Sequence, residues 1–108
     1  MTEYDKKDKI KTMNKDEIIE KLKEIKPTLE KDYYVKEVGV FGSYVRDEQT
    51  ESSDIDILID YNRGMTLFTL VRLKDFLSDL FGKKVDIAFK KSLKPRIGKR
   101  ILSEVIYV

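Results

Sequence analysis

Residues 41–59 read FGSYVRDEQTESSDIDILI, and the alternation at their end decides the fold. From Ile55 to Ile59 the chain is apolar and β-branched enough to form a strand, and strand side chains two apart share a face, so Asp54 and Asp56 project together. Two carboxylates held side by side repel unless a cation stands between them. Mg²⁺ suits such a pair, because it takes oxygen ligands at about 2.1 Å and is usually held by one or two carboxylates plus substrate phosphates. Asp60 has the same parity but lies roughly 13 Å beyond Asp56 along an extended chain, which makes it a strand-end residue.

Outward on the N-terminal side, Val35 to Phe41 reads as a neighbouring strand that ends on Gly42 and Ser43. Glycine lets the backbone approach a ligand closely, and a serine opening a short helix caps it while leaving amides aimed at an anion, so the pair is a candidate phosphate cradle. Arg46 reads either as a guanidinium reaching a phosphate or as a structural partner for Asp47, Glu48 or Glu51. On the C-terminal side, the apolar run Val85 to Phe89 carries one aspartate, Asp86. A carboxylate there is costly to bury alone; it requires a base such as Lys84 or Arg46, or else a shared cation with Asp54 and Asp56 across adjacent strands. Gly-Ser by itself is a common turn and Asp-x-Asp a common strand edge. The ten residues between Ser43 and Asp54 are the specific signal.

The segments Phe41–Arg46, Ser53–Ile59 and Lys84–Ile87 together resemble the minimal nucleotidyltransferases of the DNA polymerase beta superfamily, with the resemblance running from about Glu17 to the C-terminus. It implies that Gly42 and Ser43, with Arg46 as a further contact, hold a nucleoside triphosphate. It implies that Asp54 and Asp56 bind Mg²⁺, and that Asp86 completes the metal site and helps activate an incoming hydroxyl. The reaction implied is transfer of a nucleoside monophosphate, AMP from ATP, with pyrophosphate leaving. Stand-alone domains of this kind are often antitoxins that bind a HEPN-domain ribonuclease toxin and attach AMP to one of its tyrosines, which makes such a toxin the implied partner. One departure is Asp47, where the family usually has glycine; aspartate tolerates the left-handed conformation that glycine would supply. Two other readings stay open: a non-catalytic nucleotide- or toxin-binding module, and a nucleotidyltransferase acting on a small molecule.

Length and composition set the limits. With 108 residues the chain is expected to form one domain over 14–108, too small for a second, acceptor-binding lobe, so the acceptor is expected to arrive on a partner. Residues 1–13 alternate lysines and acids with few apolar anchors and read as a mobile tail. No apolar run approaches the roughly 18 residues of a membrane span, and the expected location is the cytoplasm. The absence of cysteine excludes disulfides and thiolate zinc sites, and the absence of histidine leaves carboxylate, lysine or tyrosine as the only bases. Twenty-two basic residues against 20 acidic ones argue against a nucleic-acid partner. The basic stretch from Lys83 to Arg100, with Asp86 its only acid, reads either as a solvated face or as a surface for phosphates or an acidic partner.

The elements fall out of the periodicity. Asn14 and Glu17 form a capping box ahead of the apolar stripe Ile18, Leu22, Ile25 and Leu29, and Pro27 is expected to kink that helix or start a second one. Strands are expected at 35–41, 55–60 and 85–89. A helix over 66–81, buried through Leu67, Leu70, Val71, Phe76, Leu77 and Leu80, ends at Gly82. Pro95 opens a last helix with Ile97, Ile101, Leu102, Val105 and Ile106 as its stripe. The order gives an α+β sandwich, a small mixed sheet with helices against it, the nucleotidyltransferase (polymerase beta-like) fold.

Overall fold

The capping box opens the first helix of the computed structural model, which describes residues 13–108. In α1 (Lys15–Asp32) the Asn14 side chain accepts from the Glu17 amide at 2.9 Å, and the Glu17 carboxylate accepts from the Asn14 amide at 2.9 Å. The tail expected at 1–13 lies outside the described residues except for Met13, which packs against the core. No second helix starts at Pro27: α1 runs through it as one element. The missing backbone donor is tolerated because Leu22 and Leu29, on either side, are fully buried, and Lys26 Nζ donates to the Val108 carbonyl at 2.7 Å.

The chain continues through β1 (Val35–Phe41), a 3₁₀ turn (Gly42–Tyr44), β2 (Ile55–Tyr61), α2 (Leu67–Phe81), β3 (Val85–Phe89), a second 3₁₀ turn (Lys90–Ser92), α3 (Pro95–Glu104) and β4 (Ile106–Tyr107). The sheet order is β3-β2-β1-β4, with β1 antiparallel to both β2 and β4 and β2 parallel to β3. Helix α2 is the crossover that the parallel pair requires. It is capped by Thr66 and stopped by Gly82 in the left-handed conformation, φ +64°. This is the expected mixed sheet with helices against it.

Two expected helix faces are corrected. Helix α2 buries Thr69, Leu73, Leu77 and Phe81, while Leu67 and Val71 are exposed. Apolar residues occur on more than one side of α2, and the sheet takes the stripe of four-residue spacing. At the C-terminus the helix stops at Glu104, so Val105 and Ile106 leave it and Ile106 pairs with Val40. Both residues are β-branched and fit the pleated edge that β1 offers better than another helical turn. Ile97 and Leu102 stay exposed, and Gly98 and Ile101 are the buried residues of α3.

The core determines where the acids go. Ile55, Ile57 and Ile59 of β2 and Val38 and Val40 of β1 are buried with Ile18, Leu22, Leu29, Leu73 and Leu77. Because strand side chains alternate, this parity sends Asp54 and Asp56 to the opposite face of the sheet. Among the described residues no helix is long and apolar enough to cross a membrane.

Candidate functional site

Strand register assembles the acidic cluster. In the parallel pair β2/β3, Asp56 stands opposite Asp86, and residues in register on neighbouring strands share a face about 4.8 Å apart. Asp54 immediately precedes β2 with the parity of Asp56, so the three carboxylates predicted from sequence meet on one face. Asp60 does not join them: it pairs with Lys91 at 3.2 Å further along β2. On the other flank Asp56 is in register with Phe41, whose successor is Gly42.

Gly42 is required twice over. Its φ of +83° is one that side chains disfavour, and a Cβ placed on it would lie 2.1 Å from Asp56 Oδ2 and 2.9 Å from Asp56 Cγ. The glycine therefore lets the end of β1 sit directly against the central carboxylate. Ser43 lies inside the 3₁₀ turn and makes no side-chain cap, contrary to expectation, because the capping position falls on Phe41, which has no polar side chain. Backbone bonds close it instead, with the Gly42 carbonyl accepting from Val45 and Arg46 at 3.0 and 3.2 Å and the Ser43 carbonyl from Glu48 at 2.9 Å. Asp47 takes the left-handed conformation expected of it, φ +61°.

The electrostatics are those of crowded anions. The Asp56 carboxyl is pushed up to about 6 by burial first, then by the charges of Asp86 and Asp54, with Arg46 opposing and Glu104 adding to the rise. Asp54 leans towards Lys84 at 3.8 Å, an exposed pair of small worth. Among the described residues no three acidic side chains stand close enough together, as they are placed, to hold one metal ion. The donor chemistry nonetheless fits Mg²⁺: three hard oxygen donors share a face, and the central one holds its proton abnormally well because burial and the neighbouring carboxylates outweigh Arg46.

A pH-dependent stability follows. A carboxyl whose folded pKa is raised to about 6 from 3.8 favours folding only when protonated, so in metal-free protein Asp56 destabilises fully above pH 6, and the effect fades as pH falls towards 4. Asp56→Asn is expected to stabilise the metal-free protein by about 1–2 kcal/mol near neutral pH, after discounting for partial solvent screening. That advantage should vanish at acid pH. Thermal melts in chelator across this range check it, and an equal effect at both ends would contradict the crowding.

Sequence reading missed two residues. Glu104, the last residue of α3, accepts from the Gly42 amide at 2.7 Å and from Arg46 Nη1 at 3.0 Å on both carboxylate oxygens, while Arg46 Nε donates to Glu48 at 3.0 Å. Its only sequence signal was an acid in the last turn of a helix, where the dipole disfavours one. Tyr44 is buried, and its hydroxyl has no hydrogen-bond partner among the described residues; burial, then the charge of Asp54, raises its pKa. Of the basic stretch, Lys84, Lys90 and Lys91 pair with Asp54, Glu37 and Asp60, and Lys83 donates to the Glu51 carbonyl, so the lysines of its first half are engaged with the protein's own surface.

The comparisons with known proteins agree with this fold. The profile of the nucleotidyltransferase domain family matches residues 15–108. The protein adenylyltransferase MntA of Thermococcus cleftensis is 46% identical over 77% of this chain and 84% of its own. Among solved structures, one described as a candidate minimal nucleotidyltransferase superposes with a TM-score of 0.75 at 33% identity, covering 87% of this chain and 95% of that one. A complex of a tri-AMPylated Shewanella oneidensis HEPN toxin with an MNT antitoxin shares the fold at a TM-score of 0.52 and 18% identity, over 70% of this chain and 59% of that one.

Proposed function

This chain belongs to the nucleotidyltransferase domain family, and we propose that residues 14–108 act as one domain that moves AMP from ATP to a hydroxyl of a partner protein. The observation that carries the reading is the register of Asp56 against Asp86 with Gly42 packed on Asp56, which concentrates carboxylate donors beside a glycine turn. Asp54, Asp56 and Asp86 would hold Mg²⁺, which when bound neutralises triphosphate charge and lowers the pKa of a hydroxyl. The Gly42–Ser43 turn and Arg46 hold the phosphates so that the acceptor oxygen meets the α-phosphorus in line with the departing pyrophosphate.

The bond balance is simple. The acceptor oxygen bonds to the α-phosphorus, the α–β anhydride bond breaks, and the hydroxyl proton passes to a carboxylate, a role we give to Asp86 on the support of its register with Asp56. With no histidine in the chain, imidazole is excluded, and of the carboxylate, lysine and tyrosine bases that remain we assign the role to this acid. The partner is proposed to be a HEPN-domain toxin, the protein that carries AMP in the complex sharing this fold. The antitoxin role follows from that pairing. A label-transfer assay tests the reaction: α-labelled ATP should mark the partner and γ-labelled ATP should not. Transfer of the γ-label would mean a kinase and overturn the proposal.

A further inference from the structure

Glu104 stands where helix stability alone would not put an acid. It closes α3, beside the negative end of the helix dipole, and lies near enough to Asp56 to repel it. Its side chain is only 16% exposed, so water screens neither cost well. Two contacts offset them: the Gly42 amide donates to Oε2 at 2.7 Å, and Arg46 Nη1 reaches both oxygens at 3.0 Å. A mere tie for α3 would not need this arrangement, because burial of Gly98 and Ile101 and the pairing of β4 with β1 already anchor that end of the chain.

Both partners of Glu104 belong to the segment to which the proposed function gives the phosphates. We infer that Glu104 is a positioning residue for nucleotide binding: it fixes the Gly42 peptide and the Arg46 guanidinium from the end of α3. Glu48 holds Arg46 at Nε, Glu104 holds it at Nη1, and among the described residues no acceptor engages Nη2. The guanidinium is thus pinned on two nitrogens with one left for an anion. A carboxylate does this better than a neutral acceptor, because hydrogen bonds between charged partners are roughly twice as strong as neutral ones. The inference rests on the nucleotidyltransferase reading.

Calorimetric titration of the full chain with ATP and Mg²⁺, well below the melting temperature, tests it without an acceptor. Glu104→Ala should weaken binding about tenfold, the loss of one charge-assisted contact set. Glu104→Gln keeps an acceptor for the Gly42 amide but not the charge facing Arg46, and should lose about threefold, a partial rescue that a change in overall stability would not produce. If Glu104→Ala fails to fold, Glu104→Gln against the Arg46→Ala and Arg46→Ala/Glu104→Gln variants carries the test, since the glutamine should add little once Arg46 is gone. Wild-type binding that the Glu104 variants retain within twofold, or exceed, would overturn the positioning role alone. No binding by the wild type would overturn the nucleotidyltransferase reading, and this inference with it.

Discussion

Asparagine at both Asp54 and Asp56 is expected to abolish Mg²⁺-dependent ATP binding and to lower AMP transfer by about 10³-fold or more, the loss of metal-held charge stabilisation worth several kcal/mol. The fold should survive and even gain. Asp56 holds its proton up to about pH 6 because burial and the charges of Asp86 and Asp54 disfavour the anion, so removing that charge relieves repulsion while altering no packing. Stability and function thus move in opposite directions, which marks a site kept for its chemistry. Titration calorimetry beside a thermal melt reads both, and unchanged nucleotide affinity in a stably folded double variant would end the metal-site account.

Gly42→Ala is the second change with a large expected effect. Alanine at φ +83° carries left-handed strain of about 1 kcal/mol, and its Cβ would meet Asp56 Oδ2 at 2.1 Å, so the carboxylate must swing away. Together with the cost of overpacking, destabilisation should reach about 2–4 kcal/mol, a fall in melting temperature of about 10 °C or more for a domain of this size. Transfer should fall with the displaced Asp56. Gly82→Ala supplies the control: φ there is +64°, but nothing lies within 4 Å of the added Cβ, so only the strain applies. If the two variants melt alike, Gly42 is a turn residue and its contact with Asp56 has no consequence.

Much of this was legible because local rules agreed with one another. The Asn14–Glu17 box, the stop at Gly82, Pro95 at the head of α3 and strands at 35–41 and 85–89 each follow from cap, turn or alternation chemistry, and the structure carries all of them. Asp54 and Asp56 were bound to share a face by spacing alone. Their meeting with Asp86 needed the parallel register of β2 and β3, which no local pattern contains.

What local chemistry could not reach was decided by tertiary competition. Pro27 sits in an unbroken helix because the leucines around it are buried, and the apolar side of α2 was misread because Leu67 and Val71 are as hydrophobic as Leu73 and Leu77 but lie off the sheet. Val105 and Ile106 continued a helical stripe on paper, yet the free edge of β1 draws Ile106 into β4. Glu104 escaped for the same reason. Its partners Gly42 and Arg46 are about sixty residues away in sequence, and only the folded chain brings them together.

The most direct test of the central claim is the intact mass of a cognate HEPN toxin after incubation with this protein, ATP and Mg²⁺. The toxin should gain increments of about 329 Da, one AMP residue each, through a hydroxyl, and Asp86→Ala should stop the gain. Neutralisation of the toxin by the wild-type protein with no change in its mass would contradict transfer and leave a binding module in its place.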